Sequence, residues 1–447
     1  MGGMAVPSGP TGRKSSVKRL PIPGSAGTML FLWHRPWLNR RLRGDTVPLR
    51  TRNRNGPGLS SRGTLIVNGP DHVKQVFAGS PDTWHAGECY EIITPLVSEL
   101  SMLVQDRQEH ARSRKLVTPA FTSAALRSYE PMIGTLAEDE VRQWPTGRTF
   151  RVQDRMQRVT LEIILRVVFG VTDPARLTRL HALVPALTDV SPVVLMGLHR
   201  RSLRPLPPWR TWLASRREFV AVLRAQIAEH RQAGPGARSD VLSRLLKAEV
   251  DGDRLSDDEL VGQLMTLVMA GYETTATAMT WLVHDLARMP DVQDRARRAA
   301  SEGDTAYLDA VVKECMRIHP VLALVSRGLS EEAEIGGVRV AAGESVAASV
   351  SLAHFNPAHF PEPDRFRPER FLGDAPPPAT AWFPFGGGVR RCIGAAFSLL
   401  ESRLLLRWIL LTFELTAPTT GPERAKARTV VTAPHRGGRV IATPRTS

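Results

Sequence analysis

The chain reads as one mainly helical domain with small β-sheets near its two ends, an α+β arrangement. Three observations lead there. A helical apolar pattern holds over most of residues 108–303, and short strand patterns bracket it at Thr64–Val67 and 333–350. No Pro- or Gly-rich stretch is long enough to separate two domains. With 447 residues and 42 % hydrophobic side chains, the chain can bury a large core.

Taken in order, residues 1–18 are polar, basic and rich in Gly, Ser and Pro. They read as a flexible tail before a single domain over 19–447, and they lack the apolar core of a signal peptide. The apolar stretch 29–33 is too short to cross a bilayer, so no transmembrane anchor is expected. The first 75 residues read as the tail, a short helix and a strand pair, in which a polar turn at 53–62 precedes the strand Thr64–Val67. Residues 161–169 are apolar on nearly every side, as in a buried helix. The longest element covers 257–289. Ser256 and Glu259 give it a capping-box start, and Pro290 marks its end. At 1.5 Å per residue it spans roughly 50 Å. A further helix covers 305–319 and stops at Pro320. Short strands follow over 333–350, then a Pro-dense coil at 356–378, a glycine-rich loop, a helix over 393–412 and a β-like tail including 429–432.

Charge and cysteines limit the function classes. Lys plus Arg number 59 against 44 acidic residues, a formal net charge of +15. The basic residues are spread along the chain without a nucleic-acid module, so nucleic acid is not an expected partner. Three cysteines, Cys89, Cys315 and Cys392, lie far apart. That excludes a disulfide framework and a Cys-x-x-Cys zinc site, and fits a reducing cytoplasm.

One cysteine has a setting. Phe385-Gly-Gly-Gly-Val-Arg-Arg-Cys392-Ile-Gly394 leads straight into the last long helix. A sulfur there feels the positive end of the helix dipole and first-turn N–H groups without helical partners. The glycines let the chain fold tightly beneath a flat group. Such a thiolate can ligate haem iron. A buried inert cysteine is the plainer alternative, while a phosphate-cradling loop lacks its Gly-Lys-Ser/Thr ending. The centre of the long helix is unusual too. Gly271 and the threonines 274, 275 and 277 are poor helix formers, and Leu267, Ala270, Gly271 and Thr274 share one small apolar face. That face suits either core packing or a pocket wall.

Phe385-x-x-Gly388-x-Arg390-x-Cys392-x-Gly394 resembles the haem-binding signature of the cytochrome P450 superfamily in full. Ala270-Gly271-Tyr272-Glu273-Thr274-Thr275 resembles that family's oxygen-side motif. The resemblance runs from about residue 63 to 434, closest to bacterial members. It implies the P450 fold, with haem b between the long helix and the Cys392 loop and Cys392 as the iron ligand. Gly271 then leaves space for oxygen, and Glu273 and Thr274 form an acid–alcohol pair that delivers protons. Phe385 and Gly394 belong to the haem-binding loop. His110 and Arg114 resemble the family's His-x-x-x-Arg helix and, with Arg327 and Arg390, are the expected propionate partners. Arg107 stands where the family commonly has Gly. Glu314 and Arg317 resemble Glu-x-x-Arg, completed by Arg370 into a buried structural triad. Leu267, Ala270, Leu324 and Val325 are expected to line an aliphatic substrate pocket. Further walls come from 88–103, 187–212, 321–325 and 430–435.

The implied activity is a cytoplasmic monooxygenase. It inserts one atom of O2 into a hydrophobic molecule of secondary-metabolite, terpenoid or fatty-acid type. Electrons come from a separate ferredoxin and its reductase, steered by Arg107, Arg112, Lys115 and Arg391. A ring- or C–C-coupling oxidase shares every motif. A peroxide-driven enzyme usually lacks the acid–alcohol pair, and a non-enzymatic haem binder needs no proton relay.

Overall fold

The computed structural model describes residues 18–23, 49–52, 63–234, 236, 238–428 and 431–445. The tail expected over 1–18, Lys18 excepted, the stretch 29–33 and the turn at 53–62 lie outside the described residues. No helix among them is long and apolar enough to cross a membrane.

The architecture is helical with sheets at its margins, as the pattern predicts. The larger core is assembled around the helix Asp257–Leu286. Its start is the predicted capping box: Ser256 Oγ accepts from the Glu259 amide while the Glu259 carboxylate accepts from the Ser256 amide. It ends at Leu286, ahead of Pro290, which instead occupies the first turn of the next helix, Pro290–Glu302. The helix Val152–Ile163 packs along it and closes in a π-helical turn, Ile164–Val168. The helical stretch expected at 161–169 therefore exists, but with a change of winding inside it.

The strand Thr64–Val67 falls where the pattern put it. It lies in a six-stranded sheet of order Lys18–Pro23, Leu49–Arg52, Thr64–Val67, Ser345–Ser349, Leu324–Leu329, Trp84–His85. Thr64–Val67 and Ser345–Ser349 are buried along their whole length, and these two pair in parallel with Thr64 opposite Ser345. Leu324–Leu329 pairs antiparallel to Ser345–Ser349, which brings Leu324, Val325 and Arg327 to one edge of the core. A three-stranded sheet joins Phe413–Thr416, Arg439–Pro444 and Thr149–Arg151, and a hairpin joins Ala425–Arg428 to Val431–Pro434.

The Glu314–Arg317 pair sits on the helix Thr305–Ile318, with both side chains fully buried. Arg317 forks onto Glu314 through Nε at 2.7 Å and Nη2 at 2.8 Å. Its Nη1 donates to the His354 and Pro363 carbonyls, each at 2.9 Å. Arg370 Nε donates to Glu314 Oε1 at 3.3 Å. The buried charges are thus paired and the coil carbonyls satisfied together, which a buried ion pair requires. The hold extends to the cysteine loop. His354 Nε2 accepts from the Phe383 amide at 3.0 Å, and two residues on the Phe385 carbonyl accepts from the Cys392 amide at 2.9 Å.

Candidate active site

Between Leu260 and Leu286 every residue of the long helix is buried except Met269, Ala270, Gly271 and Thr274. An exposed alanine at the middle of the most buried helix marks an interior space. Cys392 borders interior space as well. Its side chain is accessible, yet burial by surrounding protein is the largest influence on its thiol and raises it. The Gly394 amide, Arg114 and Arg391 pull the other way, in that order. The helix-terminus effect expected for this thiol is therefore present but outweighed by burial.

The loop that carries Cys392 is shaped by close approach. Gly388 has φ +64°, and a Cβ there would lie 2.1 Å from the Phe77 carbonyl oxygen. Gly387 faces the Phe77 ring, where a Cβ would sit 2.2 Å from Cδ2. Gly388→Ala is expected to combine a left-handed backbone penalty of about 1–2 kcal/mol with a backbone clash. Thermal denaturation should show a fall of several degrees, with haem content falling in parallel. The helix Ala395–Thr412 follows, with Gly394 as its N-cap. Ser398 on it meets Thr275 of the long helix, hydroxyl to hydroxyl at 3.1 Å. Phe385 is half-buried between the Trp382 ring and the loop. Val325 approaches Gly386, whose Cβ position is 3.7 Å from its methyls. Leu267 and Leu324 are each 9 % exposed.

Cations collect at the same place. His110 and Arg114 lie one turn apart on the helix Arg107–Val117. Burial, Arg390 and Arg114 push His110 down to about 4, so its ring is neutral at physiological pH. Arg390 is held by the Asp106 carboxylate and the Met102 and Gln105 carbonyls, so its charge is already paired. Arg114 and Arg327 differ. Arg114 donates to the Arg391 carbonyl at 2.7 Å; Arg327 donates to the Ser326 and Gly387 carbonyls. Neither has a carboxylate within ion-pair distance among the described residues, and burial pushes both downward from the usual guanidinium range. Two desolvated cations without anions beside an accessible thiol suit a flat iron-bearing group with two carboxylates. The residues present therefore fit haem.

Glu273 is buried, with Arg428 Nε 3.3 Å from its Oε1. Two expectations are corrected. Gly271 leaves no free space on its Cβ side, where a Cβ would lie 2.8 Å from Ile164 Cδ1 of the π turn. Arg112 is no free steering charge, because Asp253 and Glu259 both pair with it. The long helix also runs unbroken, although Thr274 Oγ1 donates to the Ala270 carbonyl at 2.6 Å and Thr160 Oγ1 lies 2.9 Å from the Tyr272 carbonyl. Such back-bonding bends a helix without breaking it. Arg107, where the family commonly has Gly, adopts φ +49° and donates to His85 Nε2 at 3.1 Å. The backbone keeps the left-handed turn that glycine would make more cheaply.

Sequence reasoning missed Arg428, Asp106 and Ile164. Arg428 joins Glu273 to Asp189, whose Oδ2 lies 3.2 Å from Nη2. Asp106 also accepts the amides of Ala86, Gly87 and Glu88. No local pattern marks these residues, since each acts on a partner distant in the chain.

An accessible thiol on a glycine loop, beside two cations that have no carboxylate partner among the described residues, suits a haem-thiolate centre. The cytochrome P450 family model matches residues 56–441, and the chain belongs to that family. It is a P450 monooxygenase, an oxidoreductase whose family binds haem iron and uses O2 with an electron donor. Cytochrome P450 135A1 of Mycobacterium tuberculosis is 39 % identical over 431 residues, covering 95 % of this chain and 94 % of that one. Cytochrome P450 137 of the same species is 37 % identical over 390 residues, covering 86 % and 81 %. Among solved structures, retinoic acid-bound cyanobacterial CYP120A1 superimposes with a TM-score of 0.77 at 22 % identity, covering 93 % of this chain and 96 % of that one. The cytochrome P450DA heme domain gives 0.74 at 24 %, covering 86 % and 88 %. The two structures share the fold.

Proposed function

We propose that this P450, as one catalytic domain over 19–447, inserts one oxygen atom into a hydrophobic molecule of secondary-metabolite, terpenoid or fatty-acid type. The substrate, O2, two electrons and two protons give the hydroxylated product and water. Haem b, held by Cys392 with Arg114, Arg327 and neutral His110 at its propionates, supplies the oxygen-activating chemistry. Arg390 and Phe385 shape the loop beneath it, and Gly394 starts the helix behind it.

The observation that carries this reading is the open face at Ala270 and Thr274, set in an otherwise buried helix. Leu267, Leu324 and Val325 offer no charge and no hydrogen bond to a ligand, so they select apolar surface. Ala270 leaves room for the reacting carbon. The Thr274 hydroxyl, now donating to Ala270 O, can turn to hold a proton on the pocket side. Glu273 stores that proton: burial raises its carboxyl first of all, Arg428 lowers it and Asp189 raises it again. Single electrons come from a ferredoxin and its reductase, docking near exposed Lys115 and Arg391. Free Cys89, Cys315 and Cys392 support a cytoplasmic setting.

Titration with candidate terpenoids and fatty acids tests the reading through the haem spectrum, because a seated substrate changes the iron's spin state. The product formed under isotopically labelled O2 should then carry one labelled oxygen. A product lacking that label, with two hydrogens lost, would establish the coupling oxidase instead.

A further inference from the structure

The helix Trp209–Ala233 turns Trp212, Phe219, Leu223 and Ile227 into the core. Arg216 stands in the same stripe, four residues after Trp212 and three before Phe219, where the helical period calls for an apolar side chain. It is half-buried, and its Nε donates to the Pro95 carbonyl at 2.9 Å, across to the short helix Thr94–Val97. That bond leaves both terminal nitrogens of the guanidinium without a hydrogen bond or ion pair among the described residues. Burial pushes the group down from the usual guanidinium range, and no carboxylate pulls it back. Other desolvated arginines have a charge to answer. Arg288 faces Asp285 and Glu423, Arg370 faces Glu314, and Arg390 faces Asp106. Arg114 and Arg327 are the pair assigned above to the haem carboxylates.

Arg216 forms part of the wall of a cavity between this helix and the long helix Asp257–Leu286. Leu96, Leu187, Met265, Val268 and Met269 make that wall apolar. Its other polar groups are engaged: Thr188 Oγ1 meets the Tyr272 hydroxyl at 2.6 Å, and Trp212 Nε1 donates to the Leu187 carbonyl at 3.2 Å. Free donors on this wall therefore come from Arg216. Met269 is one of the residues at which the long helix is open, and Ala270 follows it, so the cavity adjoins the face at which oxidation is proposed. A desolvated cation in an apolar wall costs free energy until an anion meets it. The guanidinium fork matches a planar carboxylate. One cation balances a single negative charge, whereas a phosphate monoester carries nearly two.

We propose that the cavity beside Arg216 takes the carboxylate of an otherwise apolar organic acid, so that the substrates of this P450 are aliphatic or terpenoid acids held by that end. The rest of the molecule extends along the long helix toward Ala270 and Thr274, which directs oxidation away from the carboxyl. This rests on the monooxygenase reading above and narrows its substrate.

The holoprotein should be titrated with dodecanoic acid and with abietic acid, each beside its methyl ester, at neutral pH where both acids are ionised. The iron's spin state reports binding. The acids are expected to bind about ten- to a hundredfold more tightly than their esters, the range for a hydrogen bond to a charged group. Arg216→Gln should weaken the acids by that factor and erase the preference for acid over ester. Arg216→Lys, which keeps the charge without the fork, should keep part of the preference. Arg210→Gln, an exposed position on the same helix, should leave acid binding as it is. The CO spectrum and melting temperature report whether each variant folds, and if Arg216→Gln does not, the acid-to-ester ratio of the parent decides. The proposal is overturned if the esters bind as tightly as the acids, or if Arg210→Gln weakens the acids as much as Arg216→Gln. It is also overturned if Arg216→Gln weakens acid and ester alike, since the arginine then only ties its helix to Pro95. Esters that shift the spectrum where no acid does would overturn the carboxylate and leave the monooxygenase reading standing. If neither shifts it, the substrate reading fails together with the proposal.

Discussion

Arg317→Ala is expected to yield no haem-loaded protein. The substitution leaves the Glu314 carboxylate buried with only Arg370 and the Arg367 amide as partners, and strips donors from the His354, Pro363 and Arg365 carbonyls. Removing one partner of a buried pair costs about 3–5 kcal/mol, against a total stability of roughly 5–15 kcal/mol for an ordinary domain. The loss falls on the segment that positions Cys392, because His354 holds Phe383 and the Phe385 carbonyl holds the Cys392 amide. Arg317→Lys keeps the charge but loses the fork, and should fall between the two. Haem content per chain and the melting temperature check this. A fully loaded, normally melting alanine variant would show that the pair does not set the loop.

Glu273→Gln should lower O2-dependent product formation by about 10²- to 10⁴-fold, the usual range for a general acid, with substrate binding unchanged. The pH dependence gives the sharper reading. Burial raises the Glu273 carboxyl above the ordinary carboxylate range, so it keeps its proton to a higher pH than an exposed glutamate. Activity that depends on the protonated form is complete below that raised value and declines as pH rises through it. The Gln variant lacks this limb. Arg428 favours the ionised form, so Arg428→Gln should raise the Glu273 value further and move the limb to higher pH. Product formed per electron consumed, followed across pH, checks both. Identical limbs in the parent and the Gln variant would remove Glu273 from the proton path.

Local chemistry in the sequence foretold the local structure. Ser256 and Glu259 announced the start of the long helix because both halves of a capping box lie within one turn. The glycines before Cys392 announced a tight loop because only glycine takes φ +64° against the Phe77 backbone cheaply. Residues 64–67 read as a strand and are one. Distant pairings were legible only where a motif linked them, as with Glu314, Arg317 and Arg370. Arg428 reaches Glu273 across 155 positions and Asp106 reaches Arg390 across 284; periodicity carries no trace of either. Gly271 shows the opposite failure. A missing side chain says that something comes close but not what, and here it is Ile164, placed by a π turn that propensities do not reveal.

The central claim is that Cys392 supplies the sulfur bound to iron, and the CO spectrum of the reduced protein tests it most directly. The parent should give the thiolate-type band. Cys392→Ser should lose that band entirely, with the remaining haem showing the spectrum of a neutral or oxygen ligand. A Cys392→Ser protein that still gave the thiolate band would mean that Cys89 or Cys315 holds the iron, contrary to their burial away from the accessible surface, and the account of this site would fail.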